Sequence, residues 1–239
     1  MSAVLAGCAA LVTGASRGIG LATARALAAA GARLALLSRS AGLLHEIARE
    51  LGGDAVALPC DIRDRSAVDR AVREVHDRLG RAPDILVNNA GAFPLAPVED
   101  TSVDAFADAL DVNLVAPFAL VRAMLPAMRE RASGHIVTVG SIADRTTFPG
   151  NAAYAAGKFG LRALHQVLRE ECRGSGIRTS LVSPGPVDTE LWDPVDPDAR
   201  KGFTPRARML APDAVAAAIL YAVTQPPEVN VDELRLSRT

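Results

Sequence analysis

Six times along this chain a short apolar run gives way to a longer stretch with a helical period. Residues 9–13 (AALVT), 33–38 (RLALLS), 54–60 (DAVALPC), 84–88 (DILVN), 135–139 (HIVTV) and 177–183 (IRTSLVS) are short and rich in apolar side chains. Segments 18–30, 41–51, 65–79, 102–131, 151–174 and 212–224 are longer and space their apolar residues as a helix does. A strand that is apolar on both faces must be covered on both, as in a parallel sheet flanked by helices. The alternation therefore predicts an α/β fold, a doubly wound parallel β-sheet of about seven strands with helices on both faces. No Gly/Ser linker or change of composition divides residues 1–239, which predicts one domain. Residues 184–211, rich in Pro and charge, are long for a connection and read as a lid over a substrate and cofactor site.

Charge and composition remove several functions. Lys and Arg number 26 against 27 Asp and Glu, a net charge of −1, so no basic excess exists to hold a phosphate backbone and no nucleic-acid partner is expected. Three cysteines, Cys8, Cys60 and Cys172, include no CxxC pair, which points to a reduced, cytoplasmic protein. The chain shows no leader and no long run of apolar residues free of charge, so no membrane span is expected. His45, His76, His135 and His165 lie at no metal-ligand spacing, and no metal is expected.

The first apolar run leads into Thr13-Gly14-Ala15-Ser16-Arg17-Gly18-Ile19-Gly20, followed by a helical segment. Glycines let a backbone turn tightly and approach a ligand, and the helix end offers free N–H groups to a phosphate. The spacing is G-x-x-x-G-x-G rather than G-x-G-x-x-G, and it still reads as a dinucleotide turn. NAD binders usually place an acid at the end of the second strand for the ribose 2′-hydroxyl. Here that strand ends Leu37-Ser38-Arg39, with no acid. A serine hydroxyl and a guanidinium suit a 2′-phosphate, and Arg17 can clamp it from the other side, which predicts NADP(H) over NAD(H).

Further motifs follow in order: Asn88-Asn89-Ala90-Gly91 after the fourth strand, Ser141 after the fifth, Tyr154-Ala-Ala-Gly-Lys158, and Pro184-Gly185-Pro186-Val187-Asp188-Thr189. Together with the glycine turn they resemble the short-chain dehydrogenase/reductase family over nearly the whole chain. The resemblance implies a single-domain Rossmann fold and an Asn113, Ser141, Tyr154, Lys158 tetrad. It also implies that Asp61 and Ile62 meet the adenine, and that Asn89, Ala90 and Gly91 line the adenosine ribose. Pro184, Gly185, Val187 and Thr189 would then form the nicotinamide-side loop, with Thr189 on the carboxamide, and Lys158 would bond the nicotinamide ribose. Asp61 could instead cap the next helix, for which Asp is well suited.

The chemistry can be argued beside the resemblance. Tyr154 and Lys158 are four residues apart and share a helix face. A free phenol titrates near pH 10, and a nearby cation favours the phenolate; lowering its pKa by three units takes about 4 kcal/mol, which a close ammonium together with an oxidised nicotinamide in a partly dry site can supply. The phenol can then donate a proton to a carbonyl oxygen as hydride arrives, while the Ser141 hydroxyl holds that oxygen. Asn113 is a poor helix former and Pro117 lies four residues on, which predicts a kink that frees the Asn113 carbonyl; the resemblance implies that this carbonyl holds a relay water. Gly157, just before Lys158, predicts close helix packing.

The substrate side is less determined. Trp192, Leu191 and Phe203 are expected to cover the substrate, and Arg200, Lys201, Arg206 and Arg208, facing one acid (Asp198) in that stretch, could meet an acidic group. The expected activity is hydride transfer between NADP(H) and a small-molecule carbonyl or alcohol, a 3-oxoacyl thioester or ketone. The ending Pro226–Leu236 resembles the branch acting on 3-hydroxy acids such as serine and 3-hydroxyisobutyrate, the alternative. A non-catalytic dinucleotide sensor is the rival class, disfavoured because Tyr154 and Lys158 are both present. The resemblance implies a homo-oligomer, tetramer or dimer, packed through the helices at 102–131 and 151–174.

Overall fold

In the computed structural model, which describes residues 3–52 and 54–239, each predicted strand and helix forms where the sequence places it, within a few residues. The strands are β1 (Ala9–Thr13), β2 (Arg33–Ser38), β3 (Val56–Pro59), β4 (Ile85–Asn88), β5 (Gly134–Val139), β6 (Ile177–Pro184) and β7 (Glu233–Leu236). They build one parallel sheet in the order β3-β2-β1-β4-β5-β6-β7. The helices are α1 (Gly18–Ala29), α2 (Ala41–Leu51), α3 (Arg65–Leu79), α4 (Val103–Leu110), α5 (Ala116–Glu130), α6 (Ala152–Cys172) and α7 (Pro212–Val223). β3 is shorter than the apolar run 54–60, so Asp61 lies two residues past the strand rather than at its end.

The core lies on both faces of the sheet. Leu11, Leu37, Leu58 and Leu86 face Val75, Met124 and Leu168 on one side. Val12, Leu34, Leu36 and Val87 face Leu27, Leu44 and Ile219 on the other. Each such fully buried side chain contributes about 2 kcal/mol. Helix ends follow local chemistry. Asp64 caps α3 by accepting from the N–H groups of Ser66 and Ala67, and Gly80 closes it in a left-handed conformation (φ 74°). The cap is thus Asp64, which leaves Asp61 free for another role.

The expected single helix at 102–131 is two helices joined by a π-helical turn at Asp111–Val115. The kink predicted at Asn113 is this turn. Pro117 has no N–H for the Asn113 carbonyl, which removes one regular α hydrogen bond and favours a break there. The run Val103–Glu130 is long and apolar enough to cross a membrane by length and composition, which the sequence expectation did not anticipate. Leu120, Met124 and Met128 on it are buried in the protein's own core.

His135 and His165 are buried. His135 Nε2 lies 2.8 Å from Ser180 Oγ and His165 Nδ1 lies 3.0 Å from Thr138 Oγ1. Burial pushes His135 down to about 3 and His165 down to about 4, so both rings are neutral in the fold. Unfolded imidazoles protonate below about pH 6.5, so the unfolded chain binds more protons and stability falls as pH drops below that value. The expected loss is about 1.4 kcal/mol per pH unit for each ring between about pH 6 and 4. Urea unfolding across that range measures it. A His135→Asn variant should show a slope shallower by about 1.4 kcal/mol per unit; an unchanged slope would contradict the assignment.

Candidate active site

β1 and β4 are neighbours in the sheet, but their onward connections run to opposite sides, which opens a crevice at their carboxyl ends. The Thr13 hydroxyl pins it. Its Oγ1 accepts from the Asn89 and Ala90 N–H groups at 2.9 Å each and donates to the Val87 carbonyl at 3.2 Å. The turn after β1 closes only with glycines. Gly14 and Gly18 have φ of 66° and 52°, and a Cβ on Gly14 would lie 2.9 Å from Asn89 Nδ2. A Cβ on Gly20 would run into the Gly14 carbonyl. Arg17 occupies the N-cap of α1 without a side-chain cap bond, which leaves first-turn N–H groups for an anion.

A cavity of about 930 Å³ opens over this turn. Gly14, Ser16, Arg17, Gly18 and Ile19 form its floor, and Ser38, Arg39, Asp61 and Ile62 one end. Asn89, Ala90 and Gly91 line its middle, and Pro184, Gly185, Val187 and Thr189 the far side. Gly20 and Asn113 do not line it and act from behind. Ser38 is buried, and its hydroxyl has no hydrogen-bond partner among the described residues. Arg17 and Arg39 line the same cavity as this unpaired hydroxyl, and no acid ends β2, so these residues could hold an anionic group of a ligand. Asp61 is held by Arg63, whose Nη2 lies 2.7 Å from Asp61 Oδ2, and the guanidinium bond holds the carboxyl below the usual range.

The other end brings Ser141, Tyr154 and Lys158 together. Tyr154 and Lys158 sit one turn apart on α6, with Lys158 Nζ 5.7 Å from the phenol ring centre. Lys158 donates to the Val139 carbonyl at 2.9 Å. Asn113 is fully buried in the π-turn; its amide donates to the carbonyls of Ala92 and Ala109, and its Oδ1 accepts from the Ala92 N–H. The amide thus fixes the loop after β4. Gly157 explains itself here, because a Cβ would lie 2.8 Å from the Asn113 Cβ.

One expectation meets an opposing effect in this cavity. Burial pushes the Tyr154 phenol up to about 12, and the nearby Asp144 adds to this while the Ser141 hydroxyl opposes it. Burial pushes the Lys158 ammonium down to about 8, opposed by Asp144. Desolvation outweighs the cation that was expected to lower the phenol. In the unliganded chain at neutral pH the phenol carries its proton, ready to donate.

Asp144 was missed by sequence reasoning. It is fully buried; Oδ2 accepts from Ser183 Oγ at 2.5 Å, and Oδ1 from Arg145 Nε at 2.7 Å. Arg145 continues to Glu233 on β7 at 2.5 Å. The carboxylate also accepts from the Ser141 N–H, while Ser141 Oγ accepts from Ala143 N–H, a capping box that orients the serine. The S-x-x-D spacing at 141–144 was the available signal. Phe93, 4.7 Å from the Tyr154 ring, had none.

The lid corrects the expected cationic run. Arg206 is tied to Asp188, Asp193 and the Thr189 carbonyl, and its N–H to Asp198, so it braces the lid. The two acids on its guanidinium, Asp188 and Asp193, come from upstream in the chain, which a count over 198–208 could not reveal. Of the four cations only Arg200 lines the cavity, where Leu191 and Trp192 also lie.

A family model described as short chain dehydrogenase matches residues 8–200. An uncharacterized oxidoreductase of Staphylococcus saprophyticus is 37% identical over 228 residues, covering 93% of this chain and 92% of the relative. One from Listeria monocytogenes is 33% identical, covering 96% and 95%. Among solved structures, a metagenomic short-chain oxidoreductase in complex with NADP superposes with a TM-score of 0.85 at 33% identity, over 99% of each chain. An alcohol dehydrogenase from the archaeon Thermococcus sibiricus, complexed with 5-hydroxy-NADP, gives 0.85 at 30% identity over 97% of each.

The chain holds two lysines, Lys158 and Lys201. In a Lys201→Arg variant, NMR of ¹³C-labelled lysine therefore reports Lys158 alone. Its midpoint is expected near 8, and Asp144→Asn should move it lower, because the carboxylate opposes the loss of the proton. A midpoint that does not move would remove Asp144 from the electrostatics of the site.

Proposed function

Because this chain belongs to the short-chain dehydrogenase/reductase family, we propose that it is an NADP(H)-dependent oxidoreductase that interconverts a small carbonyl compound and its alcohol. The observation that carries this reading is the convergence of Ser141, Tyr154 and Lys158 at the far end of a cavity whose near end is a glycine turn. The Ser38 hydroxyl with Arg17 and Arg39 would hold the 2′-phosphate, and Thr189 and Lys158 the nicotinamide side. The cofactor, when bound, supplies or accepts the hydride.

The chain's residues do the rest. Ser141, oriented by its capping box, donates to the substrate oxygen and stabilises charge that develops there. Tyr154 is protonated and dry, so its phenol can donate to that oxygen as the carbonyl is reduced. Lys158 uses one donor on Val139, and its remaining N–H groups are free to stabilise the phenolate left behind. The Asn113 side chain holds the loop at Gly91–Ala92 and the π-turn in register behind them. The free thiols Cys8, Cys60 and Cys172 suit a reducing, cytoplasmic setting.

Removing the phenol tests the reading. Tyr154→Phe is expected to lower kcat/KM by about 10²- to 10⁴-fold with NADPH and a reducible ketone. NADPH affinity, measured by calorimetry, should stay within about threefold and exceed NADH affinity in both proteins, since the hydroxyl lies away from the 2′-phosphate end. Turnover near the wild-type rate would overturn the mechanism; equal affinity for NADH would overturn the cofactor assignment.

The same reading extends to assembly. Val103, Phe118, Phe159 and Val167 on α4, α5 and α6 are 83%, 49%, 42% and 56% exposed. Large apolar side chains on helices that share one side of the sheet fit a second copy of this chain as their cover. Light scattering should give two or four times 24.9 kDa, and Phe159→Glu should lower the mass. A wild-type mass of 24.9 kDa would overturn the assignment.

A further inference from the structure

Aromatic residues are scarce in this chain: six Phe, two Tyr and one Trp, 4% of the total. The buried core is built almost without them. Its largest fully buried side chains are Leu, Ile and Met, and Tyr154 is the single aromatic among the buried hydrophobic residues described. Yet five of the nine aromatics meet at one place. Phe93 from the loop after β4 packs edge to face on Tyr154 at 4.7 Å and on Trp192 of the lid at 4.9 Å. Trp192 contacts Phe203 at 6.0 Å, and Phe203 contacts Phe148 at 5.9 Å. Four separate segments supply them, so the cluster is not a by-product of local sequence.

Phe93, Phe148 and Trp192 line the cavity together with Tyr154, while Phe203 backs the last two rings of the series. The Trp192 indole N–H is satisfied within the protein, donating to the Val187 carbonyl at 3.0 Å. It fixes the ring plane and asks nothing polar of a ligand. Ile142, Leu191 and Val195 continue the apolar wall, and the lid adds Glu190 and Arg200 as its charged lining residues.

We propose that the substrate is a carbonyl compound carrying an aryl ring, or an equally flat apolar group, bonded directly to its carbonyl carbon. This rests on the oxidoreductase reading above and names its substrate class. The carbonyl oxygen must reach the Ser141 and Tyr154 hydroxyls. The Tyr154 ring is in edge contact with Phe93, so a substituent of that carbonyl meets the aromatic series. Ring edges and faces there offer an aryl group the offset and edge-to-face contacts that a flexible alkyl chain cannot match. A polyhydroxylated substrate would leave its hydroxyls unpaired against the same wall, and an adjacent carboxylate would face the negative ring faces.

Trp192 is the sole tryptophan, so its fluorescence reads occupancy of this end directly and without turnover. With NADP⁺ present, 1-phenylethanol should change that fluorescence saturably, and 2-octanol much less. In steady state with NADPH, acetophenone should exceed 2-octanone in kcat/KM by about tenfold or more, and Trp192→Leu should bring that ratio towards one. An aliphatic ketone, an acetoacetyl thioester or a 3-hydroxy acid turned over as well as the aryl compound would overturn this inference and leave the oxidoreductase reading standing. Absence of a saturable aryl response in fluorescence would overturn it too, whatever the kinetics. If the aryl compound binds saturably while NADPH is bound and no carbonyl or alcohol reacts, the oxidoreductase reading is what fails.

Discussion

A single hydroxyl, that of Thr13, ties the two halves of the molecule together where they diverge. It accepts from two backbone N–H groups of the loop after β4 and donates to the last turn of hydrogen bonding on that strand. These bonds couple the two loops that bound the crevice between β1 and β4. Asn89 strengthens the coupling from the other side, donating through its amide to the Thr13 carbonyl at 2.9 Å. The glycine turn can then come within contact of Asn89 and Ala90 because no side chain intervenes. Everything that faces the cavity, from Arg17 to Tyr154, is placed relative to this junction. The hydroxyl is buried, so its three bonds act in a low-dielectric setting where loss of any partner is costly.

The chemistry at the far end follows from dryness more than from charge pairing. Lys158 and Tyr154 share a helix face, but burial sets the protonation of both: the phenol is pushed up and the ammonium down. Asp144 works against the effect of burial on the lysine and with it on the tyrosine, so it favours the protonated form of each. A fully buried carboxylate would be expensive alone. Here Arg145, Ser183 and the Ser141 N–H satisfy it, and Glu233 shares the guanidinium. The same carboxylate therefore orients the serine, biases two titrating groups and fastens the loop after β5 to β6 through Ser183, while Arg145 reaches on to the last strand.

Much of this was legible beforehand for a physical reason. Strands buried on both faces and helices with one apolar face leave period and length signatures, and β1, β2, α2 and α3 match the predicted runs residue for residue. The π-turn was foreshadowed by Asn113 and Pro117, because a missing N–H is a property of the covalent chain. Asp61 was weighed as a cap and Asp64 was not, although Asp64 directly precedes α3 and caps it; the backbone path decides which carboxylate reaches the first turn. Arg206 was misread because its partners Asp188 and Asp193 are distant in sequence. The desolvation of Tyr154 was not legible for a related reason: proximity of Lys158 is local and readable, whereas desolvation depends on every element packed around the pair.

The aromatic residues separate what the fold needs from what the site needs. Leu, Val, Ala and Met fill both faces of the sheet, and such side chains pack closely between helix and strand without demanding a polar partner. Nothing in that packing calls for the rings of Phe93, Phe148, Trp192 or Phe203, which come from loops and the lid. Loops tolerate change that the sheet does not, because few buried contacts depend on them. A family sharing one glycine turn and one Ser-Tyr-Lys group can then differ in substrate through these segments alone. In this chain they set Phe93 against the Tyr154 phenol and carry the series on through Trp192, Phe203 and Phe148, so that the shape and polarity of this wall are fixed by segments that the sheet does not constrain.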